Sequence, residues 1–307
     1  MQGAADKVAF KGRILLGLDD IAGYFSSLRK GFDQLGVPVD AVFVRPHAFD
    51  YETAPVPAWV RTWQKSAARL DQRPSFLHRL GHACWSLLIW LWALTRYRVF
   101  IFSFGKTFLP YNLDLPFYRL LGKRTVFVFL GTDCRADYLG ASAYIHEWSA
   151  AQCAQAVAER KARLRKIERY ADYLVNTPGQ ALLMERPFVH VHKLGMPREV
   201  QVVPHEPTGT GRLRVLHSPS RTGIKGSKRI RAIAASLQAR YDFEWVELTG
   251  RPNAEVLDEI ARCDFVVDQL YADTPMAVFA GEAACLGKPA LVGGAYAEYL
   301  ARHVEAD

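Results

Sequence analysis

Residues 213–239 read LRVLHSPSRTGIKGSKRIRAIAASLQA, and the fold class follows from that stretch. Leu213 to His217 is a short apolar run of strand length, and Ser227 to Ala239 has the length and composition of a helix. Between them lies a turn carrying Pro219, Gly223 and Gly226, with Ser227 placed to cap the helix. Downstream the alternation continues: strand Phe243–Leu248, helix Ala254–Ala261, strand Phe265–Val267, a helix from about Pro275 to Leu286, and strand Pro289–Val292. Upstream the same rhythm predicts strand Arg13–Leu18, helix Tyr24–Leu35 stopped by Gly36, and strands Ala41–Val44, Val99–Phe102 and Thr125–Leu130. A long helix is expected over about Ile145–Tyr170, then strand Tyr173–Val175. Near-continuous apolar strands alternating with helices predict parallel sheets covered on both faces.

Residues 196–211 hold Pro197, Pro204, Pro207, Gly209 and Gly211, which marks a linker or hinge. The expected organisation is therefore a Rossmann-like domain over 1–195, a linker over 196–211, and a second Rossmann-like domain over 212–307. A chain of 307 residues suits two such domains. Its five cysteines are scattered without a C-x-x-C pair, which argues against a disulfide scaffold and a structural zinc site. The N-terminus has no apolar signal core, so a cytoplasmic location is expected.

The most apolar run is Cys84–Leu94, eleven residues where a span needs about 20. It predicts a buried helix of an α/β layer. The competing reading is peripheral membrane contact at the inner face through the basic, Trp-rich region 61–98, whose cations and tryptophans suit an anionic surface.

The formal charge is +8, from 39 Lys+Arg and 31 Asp+Glu. It is unevenly spread: residues 212–240 hold eight Lys/Arg and no acid, and residues 241–307 hold four against thirteen acids. The basic run falls on the turn after strand 213–217, where ligands of open α/β sheets bind. Arg221 and Lys225 in that loop are candidate phosphate ligands, with Ser220 and Gly226 beside them. Lys228 and Arg229 are expected to face water. An anion between these cations and the helix N-terminus would offset their unfavourable place at the positive end of the dipole. A second anion site is expected near Asp273-Thr274-Pro275, where Thr274 would cap a helix whose amides at Ala277, Val278 and Phe279 face the same edge. Glu282 stands alone in an uncharged run, and an acceptor-only carboxylate there fits a pair of sugar hydroxyls.

His217-Ser-Pro-Ser, Arg221, Lys225-Gly-Ser, then Cys263-Asp264-Phe-Val-Val-Asp268-Gln, then Glu282-Ala-Ala-Cys-Leu-Gly287-Lys-Pro289 resemble the C-terminal domain of family 4 glycosyltransferases of the GT-B fold. Asp19-Asp20-Ile21-Ala22-Gly23-Tyr24 and Gly131-Thr132-Asp133-Cys134-Arg135 resemble that family's acceptor-side domain. The likeness implies two Rossmann-like domains facing each other across a cleft, and hexosyl transfer from a UDP- or GDP-linked sugar to a glycan, lipid or other glycoconjugate in polysaccharide assembly. Nucleotide-sugar is then a substrate, no cofactor is implied and no metal is needed; the absence of any D-x-D agrees. It implies that Arg221 and Lys225 act catalytically on the diphosphate; Asp133 joins them as a catalytic candidate because it sits with Arg135 at a strand's carboxyl end, a salt-bridging pair that stabilises the loop being the competing account. Donor binding would fall to Ser220, Arg221, Lys225, Gly226, Thr249, Gly250, Ala277, Val278, Phe279 and Glu282. Asp20, Gly23, Tyr24, Asp133 and Arg135 would line the acceptor side.

Three positions depart from the family pattern: Thr274 where a Glu is common, Ala277 where a Gly is usual, and Leu130 where a His is common. The likeness also leads one to expect further strands and a returning helix after residue 307. A same-fold epimerase and a non-catalytic nucleotide- or nucleic-acid-binding module are the alternatives, although no nucleic-acid partner is expected, because the cations concentrate at one loop instead of along a stripe. His78/His82 and His190/His192 lack the neighbours a metal site requires. The basic run Arg160–Arg169 predicts a solvated helix face.

Overall fold

Apolar strands and the helices between them sort into two parallel sheets, each built by a separate stretch of chain. The structure, a computed structural model, describes residues 12–21, 23–44, 57–70, 75–136, 138, 147–191, 212–272 and 277–294. The first sheet contains β1 (Ile14–Leu18), β2 (Val39–Phe43), β3 (Val99–Ser103), β4 (Arg124–Val128), β5 (Tyr173–Asn176) and β6 (Val189–His190). Its strand order is β2-β1-β3-β4-β5-β6, parallel throughout. Helices α1 (Tyr24–Gln34), α2 (Ala58–Arg69), α3 (Phe76–Arg96), α4 (Leu115–Leu120) and α5 (Ala150–Tyr170) connect these strands.

The two-residue period of a strand places alternate side chains on opposite faces, and β1 shows the consequence. Leu15 joins one core with Phe100, Phe102 and Phe127, closed by Trp63 of α2, Ile89 and Trp90 of α3, and Leu164 and Ile167 of α5. Ile14 and Leu16 join the core on the other face with Phe43, Ile101 and Val128, closed by Phe25 of α1. Helices thus cover both faces, as a doubly wound sheet requires. Each fully buried phenylalanine or leucine here contributes about 1.5–3 kcal/mol of transfer free energy.

The second sheet holds β7 (Leu213–His217), β8 (Phe243–Glu247), β9 (Phe265–Ala272) and β10 (Ala290–Gly294) in the order β10-β9-β7-β8. Between them lie α6 (Thr222–Lys225), α7 (Ser227–Gln238), α8 (Asn253–Arg262) and α9 (Val278–Cys285). Leu216, Val266, Val256, Ile260, Phe279 and Ala283 form its core. In both sheets the second strand lies outside the first and the third lies inside it. The point where strand order reverses therefore falls between β1 and β3 in one and between β7 and β9 in the other, and such switch points open the crevices that bind ligands.

Several expectations change. The helix containing Cys84–Leu94 is buried on only one side: Ile89, Trp90, Ala93 and Leu94 face the core, while Leu87, Leu88 and Leu91 are exposed. Helix α5 starts at Ala150, because Ser149 and Gln152 form a reciprocal capping box there. Its basic run is not simply solvated: Arg160 and Arg163 donate to the Asp133 carbonyl, Lys166 donates to the Tyr111 carbonyl, and Glu168 is buried. Helix α9 begins at Val278 with Ala277 as its extended N-cap. The expected linker 196–211, His192, Ala22 and Asp273-Thr274-Pro275 lie outside the described residues. Among the described residues, no helix is long and apolar enough to cross a membrane.

Candidate functional site

The carboxyl edge of the second sheet gathers the loop cations. After His217 the chain turns through Ser218 to Ser220, forms the short α6, and reverses at Gly226, whose φ of 74° lies in the left-handed region. Glycine is required there twice over, since a Cβ would also meet Tyr271 and Leu270 of β9 at 3.0–3.2 Å. This tight contact seats the loop on β9. Gly226, not Ser227, is the N-cap of α7, and the Ser227 side chain turns inward to His217.

His217 is fully buried and held on both ring nitrogens: Nδ1 lies 2.7 Å from the Val267 carbonyl, and Nε2 lies 2.8 Å from Ser227 Oγ. A carbonyl only accepts, so Nδ1 carries the proton and Nε2 accepts from the serine hydroxyl. Burial pushes the imidazole pKa below its ordinary value, against the opposing pull of the Val267 hydrogen bond. The histidine is a neutral strut under the loop.

Lys225 Nζ donates to Asp268 Oδ1 at 2.6 Å, with the lysine side chain 14% exposed and the aspartate 0%. Asp268 Oδ2 is buried and has no hydrogen-bond partner among the described residues. Arg221 is exposed at the N-cap of α6 and pairs with no carboxylate among the described residues. Ser220, Lys228 and Arg229 are exposed as well, the last two as expected. On the neighbouring strand Thr249 and Gly250 are exposed after β8. Asn253, which opens α8, donates through Nδ2 to Glu282 Oε1 at 3.1 Å. Glu282 is buried on α9, two residues beyond which Ala284 turns outward. Val278 and Phe279 form the first turn of that helix, with Ala277 just outside it. The loops after β7 and β8 and the start of α9 are thus linked to one sheet edge through Lys225–Asp268, His217–Ser227 and Asn253–Glu282.

The residues expected on the acceptor side have heavy structural duties. Asp20 accepts from the Phe25 amide at 2.9 Å and the Ser26 amide at 3.2 Å, so it satisfies the first turn of α1. Gly23 supplies the left-handed N-cap at φ 72°, and burial raises the pKa of Tyr24. Asp133 is fully buried, and its two oxygens accept from the Gly131 amide at 2.8 Å and the Leu130 amide at 3.2 Å. Burial raises its pKa, opposed by those amide bonds. Both oxygens serve their own turn, which places Asp133 as the organiser of the loop after β4. Arg135 is buried in the same loop. Beside it Cys134 is buried, and burial pushes its thiol up to about 12, so it is not a nucleophile.

The first switch point carries groups that sequence reading passed over. Lys106 pairs with Asp19 at 2.8 Å, and Ser103 at the end of β3 donates to the Asp19 carbonyl. The following loop is fixed by buried Asp114, which accepts from Thr107 Oγ1, the Phe108 amide and the Tyr118 hydroxyl. Asp268 and Asn253 were missed in the same way. Asp268 lies in the stretch Cys263–Gln269, where nothing local marks its pairing with Lys225, and Asn253 carries no local signal at all.

The histidine pair His78/His82 staples two helices: His82 meets Ser66 and Ser86 and stacks on Trp63, and His78 reaches the Ser66 carbonyl. Among the described residues, no three His, Cys, Asp or Glu side chains converge as a metal site would require. The chain matches no protein-family model and no curated protein sequence.

Proposed function

We propose that the chain is a glycosyltransferase of GT-B type, moving a sugar from a UDP- or GDP-linked donor to a glycan, lipid or other glycoconjugate acceptor without a metal. One observation carries the reading: Arg221, Lys225, the first turn of α9 and Glu282 belong to loops and helices at one carboxyl edge of one parallel sheet. In this reading the second sheet holds the donor, the first holds the acceptor, the two face each other across a cleft, and residues 196–211 are the hinge.

As the bond from sugar to diphosphate breaks, negative charge grows on the leaving group. Arg221, exposed and without a carboxylate partner among the described residues, neutralises it, and Lys225 adds a second cation. Asp268 keeps Lys225 at the loop before the donor arrives, so the cation is in position without being buried alone. Glu282, oriented by Asn253, accepts from the ribose hydroxyls. The amides of Val278 and Phe279 assist at the positive end of α9.

Calorimetry with UDP, GDP and their sugars tests the reading. Arg221 is exposed, so Arg221→Ala leaves the fold intact. Loss of one charge-assisted hydrogen bond, about 1.5–3 kcal/mol, predicts weakening of nucleotide diphosphate binding by roughly 10–100-fold. Absence of nucleotide binding by the native chain, or binding indifferent to Arg221→Ala, overturns the proposal. Donor hydrolysis measured alongside separates a catalyst from a binding module.

A further inference from the structure

Helix α3 is a long apolar helix, and among the described residues one of its faces stands exposed. Leu77, Leu80, Leu87, Leu88 and Leu91 are 41–77% exposed, and they recur at the spacing of one helical face. Phe76 at its start is 76% exposed. The opposite face, with Ile89, Trp90 and Ala93, packs into the first core. A single exposed leucine needs no explanation, but a continuous stripe of them marks a surface that meets something apolar.

The surface continues beyond α3. Trp90 meets Phe117 of α4 edge-on at 5.5 Å, and Phe117, Leu120 and Leu121 are 46%, 79% and 52% exposed. Where the ends of α3 and α4 approach, Leu121 and Thr95 border an open recess of about 390 Å³ lined by Arg13, Arg96, Arg98 and Lys123. Asp40 pairs with Arg13 at 2.8 Å and stands 3.9 Å from Arg96, and Lys123 Nζ donates to the Tyr97 carbonyl at 2.9 Å, so cations outnumber the one carboxylate paired with Arg13 and Arg96. On the neighbouring helix, exposed Arg61, Lys65 and Arg69 repeat every fourth residue and form one stripe. Helices α2 and α3 together carry five Lys/Arg and no Asp or Glu.

We propose that this face docks on a bilayer containing anionic phospholipid, with the α3 leucines in the interfacial region and the cations against the headgroups. The charge pattern selects the occupant. Apolar residues flanked by an excess of cations match an anionic lipid surface, whereas the centre of a protein interface is depleted of charge and its rim carries both signs. The recess suits a lipid phosphate at the margin of the apolar stripe. It lies at the amino edge of the first sheet, just before β1, β3 and β4, so docking there leaves the carboxyl edge free. The inference does not depend on the glycosyltransferase reading.

Vesicle flotation tests it with the full chain. Vesicles of equal parts phosphatidylcholine and phosphatidylglycerol are expected to carry the protein up the gradient at low salt; pure phosphatidylcholine is expected to carry little. Each cation near an anionic surface contributes about a fivefold factor, so R61A/K65A/R69A should bind on the order of a hundredfold more weakly. The substitution L80S/L88S/L91S should abolish flotation while leaving the thermal melt unchanged, because those side chains face outward. Equal flotation with both vesicle types, no flotation of the native chain, or undiminished flotation of the serine variant overturns the proposal. So does a native dimer in light scattering that the serine variant dissolves without any vesicle binding, since the face would then join two copies.

Discussion

Two buried polar groups of the second sheet decide how its loop behaves, and each gives a test. His217 is neutral in the fold and its pKa lies below the ordinary 6.5. The unfolded chain therefore takes up a proton first as pH falls, and protonation removes the acceptor that Ser227 uses. The stability held by this strut is complete above the unfolded value and is lost as pH drops through 6.5 toward the folded value. Urea titrations between about pH 7 and 5 should show a falling midpoint that flattens in His217→Asn; an unchanged slope in the variant would count against the assignment. The pair Lys225–Asp268 is asymmetric, because the aspartate has no contact with water and the lysine has some. Lys225→Met strands a buried carboxylate and should cost about 3–5 kcal/mol. Asp268→Asn should cost less, about 1–3 kcal/mol. The order of the two unfolding midpoints checks this, and the reverse order would refute it.

Among the elements, α3 shows most clearly how far a sequence pattern reaches. Its apolar length predicted burial, and on the sheet side that is correct. A helix apolar on every side does not reveal from periodicity which side the sheet will take, so the exposed stripe became visible only after packing. The two faces should respond differently to substitution. Ile89→Ala removes a fully buried side chain and should cost about 2–5 kcal/mol. Leu88→Ser, on a side chain 55% exposed, should stay within about 0.5 kcal/mol in the free protein. Chemical denaturation of both variants distinguishes them. Helix α5 shows the converse: a charged run reads as solvated until the loop bearing Asp133 is brought beneath Arg160 and Arg163.

For the molecule as a whole, the sheets carry separate cores of unequal size. Among the described residues the first half has a core on each face, with Trp63, Phe100, Phe102 and Phe127 fully buried, and the second has one smaller cluster. Denaturation followed by hydrogen exchange should therefore show peptides of residues 213–294 losing protection at lower urea than those of 14–190. A nucleotide diphosphate that binds the second sheet should raise only the first of these transitions, by about 2.7 kcal/mol at a hundredfold excess over its dissociation constant. A single transition, or a nucleotide shift confined to residues 14–190, would contradict this account. The net charge of +8 follows the same division, since a strongly basic loop region and an acidic final segment partly cancel.

Local sequence alone determined the strands other than β6, the helices other than α2, α4 and α6, the parallel class of both sheets and the turn at residues 218–226, because periodicity and glycine placement act within a few residues. The candidate cations Arg221 and Lys225 were legible for the same reason: a basic turn after a strand declares itself. Tertiary structure decided what those residues touch. Asp268 and Asn253 come from other strands and helices, 43 and 29 positions away from the groups they hold, and no local pattern encodes such pairing. It also decided that Asp20 and Asp133 are buried and accept from the amides of nearby residues, and that one side of α3 faces outward, since burial is a property of the assembled layers.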